Sequence, residues 1–167
     1  VVEGGTRAPL IVKSPGGGET GRMVDTFAHV ADLYPTFAEY AGGRVADTDV
    51  LIGDSMKPLL DGASQSIGDD RFGTESWGQR TYRDRNLKLV YTAPGYSGTS
   101  DWALYDLGAD PGETSDLADE NPEEVQRLSV MWDRYAKENN VIGVDFATVN
   151  GTVAEMVPTF FGMNWAE

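Results

Sequence analysis

The sequence predicts an α+β fold: one strand and one helix, then a small antiparallel sheet with a single helix packed on it. Three observations carry this. Apolar residues recur at helical spacing over 24–41 and again over 122–137, and between them, over 79–106, the period falls to two. Clusters of Gly, Pro, Asp and Asn punctuate each periodic stretch, as turns require.

The first element is a short apolar run, Leu10-Ile11-Val12, with a glycine pair before it and Pro15 and three glycines after it. A brief β-branched run bounded on both sides is the signal of a buried strand. Gly16-Gly17-Gly18 is a weak phosphate-loop signal, because Glu19 and a turn follow where a helix N-terminus is needed.

Phe27, Val30, Tyr34, Phe37 and Ala41 then repeat at spacings of 3, 4, 3 and 4. That stripe predicts an amphipathic helix. Pro35 interrupts it, so a helical turn comes first, and the main helix begins near Pro35 and stops at Gly42-Gly43. His29 lies off the stripe and reads as a hydrogen-bonded structural histidine; a lone His has no second ligand for a metal.

Residues 44–70 read as loop apart from the apolar patch 56–60. Asp47, Asp49 and Asp54 fail the calcium-loop test, which needs Gly at position 6 and Glu at 12. Asp69-Asp70-Arg71-Phe72-Gly73 follows polar loop residues and reads as a solvated turn.

Leu87, Leu89 and Tyr91 alternate with Lys88, Val90 and Thr92, the pattern of a half-buried strand with one solvated face. Arg83-Asp84-Arg85-Asn86 is the turn joining it to the preceding strand. Trp102-Ala103-Leu104-Tyr105 is a third strand, and Asp110-Pro111-Gly112 is a turn by its chemistry. Asn121-Pro122-Glu123-Glu124 opens the last helix, with Asn as N-cap, Pro at N1 and Glu at N3. Val125, Leu128, Trp132 and Tyr135 form its apolar face. In the remaining tail, Phe160-Phe161 and Trp165 read as a docking segment, and Asn150-Gly151-Thr152 fits a short glycosylation pattern.

Composition excludes several functions. Nine Arg and four Lys among 27 acids give a net charge of −14, which leaves no basic face for nucleic acid. Cysteine is absent, so there is no disulfide, thiolate nucleophile or Cys-based zinc site. The chain is 40% hydrophobic and able to form a core, yet no stretch reaches the ~20 apolar residues of a membrane span. Val1 is not a start methionine, so either processing or a longer reading frame is expected, and the compartment stays open.

Four phrases stand in order along the chain. They are Glu3-Gly4-Gly5-Thr6-Arg7-Ala8-Pro9; His29-Val30-Ala31-Asp32-Leu33-Tyr34-Pro35-Thr36; Gly53-Asp54-Ser55-Met56 with Pro58-Leu59-Leu60-Asp61-Gly62; and Trp102 to Leu107 running into Asp110-Pro111-Gly112-Glu113 and Asp116-Leu117-Ala118. Together they resemble the C-terminal third of the sulfatase family, the arylsulfatases of the alkaline-phosphatase-like superfamily. The hairpin from Gly78 to Tyr91, with Arg80, Arg83 and Lys88, resembles the same family.

The resemblance implies an α/β sulfatase fold. Residues 1–62 would end the large catalytic domain, 63–145 would be the small C-terminal subdomain, and 146–167 a tail. It implies hydrolysis of a small-molecule sulfate ester at a formylglycine held by calcium or magnesium, with Lys and His groups placed in advance where charge develops. The chain has neither a Cys nor a Ser-x-Pro-x-Arg motif, so the nucleophile and metal ligands would lie in a missing N-terminal region. No residue here is expected to be catalytic or to bind the metal. Glu3, Gly4, Gly5 and Arg7 are the candidates for active-site support, with Gly4 and Gly5 allowing close backbone packing. A buried Glu3–Arg7 pair is the plainer expectation for this phrase. The alternatives are a phosphonate or phosphodiester hydrolase of the same superfamily, or a non-catalytic α+β binding module.

Overall fold

The computed structural model describes residues 2–13, 21–43, 52–93 and 100–142. The chain forms two compact units, Val1–Ala8 with Arg71–Glu167, and Pro9–Asp70.

The larger unit is built on a four-stranded antiparallel meander, β1 (Arg71–Ser76), β2 (Gln79–Asp84), β3 (Leu87–Tyr91) and β4 (Trp102–Asp106), in that spatial order. Tight turns set its register. Trp77 and Gly78 both take positive φ, at 54° and 81°, as a two-residue hairpin turn matching the strand twist requires. Arg85, at φ 57°, turns β2 into β3 where the sequence placed a turn.

One face of the sheet carries the helix Pro122–Glu138. Tyr82, Leu89 and Leu104 from the strands close on Leu128 and Trp132 from this helix. Leu89 and Leu128 are 0% exposed, so the expected apolar face of the helix is the buried one. Arg80 lies between aromatic faces, 5.0 Å from the Tyr91 ring and 4.9 Å from that of Trp132. There it adds a cation–π contribution to the packing.

Three expectations for this unit are corrected. Asp69 and Asp70 do form a turn, with Asp70 at φ 57°, but Arg71 to Gly73 are not solvated loop; they begin β1. Gly73 is buried under the Tyr135 ring, which any side chain there would overlap. β3 is buried on both faces, with Lys88 4% and Val90 3% exposed, because it lies between two strands with groups packed above and below. Asn121 makes no side-chain cap; its Nδ2 donates instead to the Leu117 carbonyl.

The smaller unit holds a 3₁₀ turn, Val30–Asp32, running into a helix Leu33–Tyr40, and a single turn, Lys57–Leu60. Met56, Leu59 and Ile67 form its core, with Leu33 and Leu60 packed against them. The helical turn before Pro35 is as the sequence predicts, although Leu33 rather than Pro35 begins the α-helix. The buried strand at Leu10-Ile11-Val12 is not formed: these residues are extended chain without strand pairing, and Ile11 is 92% exposed. A strand needs a neighbour to satisfy its backbone, and among the described residues none pairs with this segment. The helix buries its polar side. Val30, Tyr34 and Phe37 point outward, and Asp32, Pro35 and Thr36 are covered.

The glycine triplet 16–18, Asp47 and Asp49, Asn150-Gly151-Thr152 and the Phe160–Trp165 tail lie outside the described residues. Among the described residues no helix is long and apolar enough to cross a membrane.

Candidate functional site

The phrase Glu3-Gly4-Gly5-Thr6 folds as a single helical turn, Glu3–Thr6, and belongs to the larger unit although the rest of that unit starts at Arg71. Three charges hold it there. Lys88 Nζ lies 2.7 Å from Glu3 Oε1 and 2.9 Å from Glu113 Oε1. The backbone N–H of Glu3 donates to Glu113 Oε2 at 2.6 Å. Side-chain exposures of 5% for Lys88, 12% for Glu3 and 4% for Glu113 put the cluster out of bulk water, where pair geometry matters most.

Each member is placed by its own local structure. Lys88 sits on the face of β3 opposite the aromatic core, between Leu87 and Leu89 in sequence. Glu113 follows the Asp110-Pro111-Gly112 turn at φ 53°, and Asp110 stabilises that turn by accepting the Thr114 and Ser115 N–H groups at 2.7 and 2.9 Å. These hydrogen bonds hold the Asp110 carboxyl below its ordinary pKa. Glu113 Oε1 meets Lys88 as an ion pair only, without hydrogen-bond alignment.

Of the four candidate support residues, Glu3 is therefore anchored, but by Lys88 and not in a buried pair with Arg7, which is exposed. The reason is reach: Lys88 projects from a central strand onto the turn that carries Glu3. A Cβ added at Gly4 or Gly5 would meet nothing within 4 Å, so no described residue packs closely enough to call for glycine there. Lys88 was the missed residue. Its signal was present, a lone lysine inside an otherwise apolar central strand, but the alternation assigned it to a solvated face.

A second polar network joins two more of the phrases within the smaller unit. Asp32 accepts the N–H of His29 at 2.6 Å and that of Asp54 at 2.9 Å. Thr36 donates to the Asp32 carbonyl at 2.6 Å and accepts the Met56 N–H at 2.8 Å. A side chain at Gly53 would overlap the Ala31 carbonyl, which is why the chain can pass so close there only as glycine. His29 Nδ1 accepts the Ala31 N–H at 3.1 Å, a structural role; burial lowers its pKa, partly opposed by Asp32.

A third charged group ties the sheet to its helix. Asp84 accepts from Arg71 at 3.1 Å and from Arg127 at 2.7 Å. Burial pushes the Asp84 carboxyl upward, yet the hydrogen bonds from Arg127 and Arg71 outweigh it and hold its pKa below the ordinary range.

Chemically, these networks hold backbone in place; they do not assemble a nucleophile with a base. Among the described residues there is no group of three or more His, Cys, Asp or Glu able to hold a metal ion. The calcium that the resemblance implies finds no fitting donor set among the described residues, and the sequence has no cysteine to become the formylglycine.

Comparison with known proteins gives a consistent picture. Residues 1–140 match the family model described as N-sulphoglucosamine sulphohydrolase, C-terminal. An uncharacterized sulfatase of Schizosaccharomyces pombe is 33% identical over 161 residues, covering 90% of this chain and 29% of the relative. An N-acetylglucosamine-6-O-sulfatase of Bacteroides thetaiotaomicron is 28% identical over 122 residues, covering 66% of this chain and 21% of that protein. A crystal structure of a candidate sulfatase from Bacteroides thetaiotaomicron superposes with a TM-score of 0.52 at 25% identity, covering 65% of this chain and 24% of the other. The chain spans less than a third of the length of these relatives.

Proposed function

This chain belongs to the sulfatases, as a C-terminal portion of that family, and on this premise we propose that it completes the scaffold of a sulfuric ester hydrolase. The parent enzyme would hydrolyse a small-molecule sulfate ester, using a formylglycine and a calcium or magnesium ion supplied by sequence upstream of Val1. This chain would supply no catalytic group. Its contribution would be positional: Glu3, pinned by Lys88, carries the Gly4-Gly5 turn and Arg7 next to the region from which the chemistry comes.

The observation that carries this reading is the family match over residues 1–140, in a chain whose described residues form polar networks that hold backbone and offer no metal-binding group. Catalysis by sulfate transfer needs a nucleophile and cations at the developing charge, and removing both leaves little to accelerate the reaction. The purified 167-residue chain is accordingly expected to show no turnover of a nitrophenyl sulfate with calcium present. The polypeptide extended upstream through its reading frame is expected to show it. Turnover by the short chain above background would overturn the assignment of roles, and no turnover by the extended chain would overturn the activity.

A further inference from the structure

Arg80 stands opposite an acid without pairing to it. Its cross-strand partner on the β1–β2 hairpin is Glu75, an arrangement in which opposite charges ordinarily meet. Glu75 is engaged elsewhere: its Oε1 accepts the Gly78 N–H at 2.7 Å and braces the turn. Among the described residues no carboxylate lies within ion-pair distance of Arg80 and no oxygen accepts a hydrogen bond from it. Other cations of the same unit are matched: Arg71 and Arg127 with Asp84, Arg134 with Glu138, and Lys88 with Glu3 and Glu113.

The guanidinium is nevertheless held in place. The Tyr91 and Trp132 rings lie 5.0 and 4.9 Å from its carbon, and Trp102 links them, with ring centroids 5.4 Å from Tyr91 and 6.1 Å from Trp132. Contact through ring faces engages the charge and leaves the N–H donors unused. Arg80 is half-buried, and none of its nitrogens is cut off from solvent. A positioned cation with an unused donor fork is suited to an oxyanion, which it recognises by two parallel hydrogen bonds. A net charge of −14 repels anions at large, so only local donors of this kind can retain one.

We propose that Arg80, framed by Tyr91 and Trp132, binds a sulfo group, either that of a sulfate ester or the free sulfate ion. The choice of sulfate among oxyanions rests on the sulfatase reading above, whereas an anion site at Arg80 rests on its geometry alone.

The isotope-labelled 167-residue chain is titrated with sodium sulfate, and with sodium chloride at equal ionic strength, while nuclear magnetic resonance follows the Arg80 Nε–H and Trp132 indole N–H signals. Both signals should shift saturably at millimolar sulfate and stay put in chloride. Arg80→Gln should abolish saturation. Arg80→Lys keeps a cation over the rings without the fork, and it should weaken sulfate binding more than about tenfold. Circular dichroism confirms that each variant is folded, and the lysine variant alone decides the matter if the glutamine variant is not. No saturation with sulfate, an equal response to chloride, or undiminished binding in Arg80→Lys would overturn the proposal. Acetate or phosphate binding more tightly than sulfate would overturn the sulfate assignment. A parallel titration with methyl sulfate separates the two sources: tighter binding than sulfate supports the ester, and weaker binding supports the free ion. Hydrolysis by the upstream-extended polypeptide is read separately. Sulfate bound at Arg80 without hydrolysis sinks only the activity, and hydrolysis without binding at Arg80 sinks only this site.

Discussion

Replacing Lys88 by Met tests whether the first phrase is held by electrostatics or merely by packing. Methionine keeps most of the lysine stem but removes the one cation between Glu3 and Glu113. Those carboxylates are 12% and 4% exposed, and both lie within 2.9 Å of the ammonium. Without it, two like charges share a buried site, and the Glu3 N–H donating to Glu113 is left to satisfy them among the described residues. Breaking a buried ion pair from one side costs ~3–5 kcal/mol, because a charge is left uncompensated. Adding Glu113→Gln to Lys88→Met removes one of the stranded charges, and the two changes should couple by ~1–3 kcal/mol, as contacting residues do. Urea titration of the single and double variants gives both numbers, and amide exchange at Glu3 reports whether the turn has left the sheet. Arg134–Glu138, with side chains 77% and 56% exposed, is the control pair whose loss should be silent by comparison. A Lys88→Met cost under ~1 kcal/mol, or additive effects of the two changes, would refute the reasoning.

Two further outcomes follow from the same geometry. Trp132→Ala should destabilise the larger unit by ~3–5 kcal/mol, since the ring fills the space between sheet and helix. Asn121→Ala should cost less than ~0.5 kcal/mol, because its side chain caps nothing; a urea series on both variants checks the order, and a costlier Asn121 change would mean the helix is held at its end. The smaller unit should weaken as pH falls below about 6.5, the ordinary histidine value. Burial puts the folded-state pKa of His29 below that value, so the folded form binds fewer protons, and the stability it contributes is full above 6.5 and declines as pH falls toward the lower pKa. Exchange at the Ala31 amide, corrected for its intrinsic rate, should lose protection between pH 7.5 and 5.5 in the native chain but not in His29→Asn; equal behaviour would sink it.

How much of this was legible depended on whether local chemistry or a distant neighbour decided each residue. The helix beginning at Pro122 was readable because its own spacing and charges specify it. The β2–β3 turn and the Asp110 turn were readable for the same reason. Leu10-Ile11-Val12 misled because a short apolar run is only as much a strand as its neighbour allows, and pairing is a tertiary fact. The stripe through Val30, Tyr34 and Phe37 has the helical period and faces outward. Periodicity reports that one side of a helix is apolar, not which surface meets it. β1 was missed since Gly73, its buried centre, reads as loop until Tyr135 is known to lie over it.

The phrases that gave the family away are also where these distant decisions are made. Glu3 meets Lys88 across 85 residues of sequence, and its amide meets Glu113 across 110. Asp32 meets Asp54 across 22, and Thr36 meets Met56 across 20. Each pairing seals a buried polar group, and such a group tolerates few substitutes because an unmatched one costs its full desolvation. Physical constraint of this kind fixes residue types at isolated positions while leaving the intervening chain free. A sequence shaped by it shows short recognisable phrases separated by unremarkable stretches, without showing which phrase answers which. The phrases in this chain are therefore best understood as halves of contacts, and the Lys88 and Asp32 networks join the first phrase to the fourth and the second to the third.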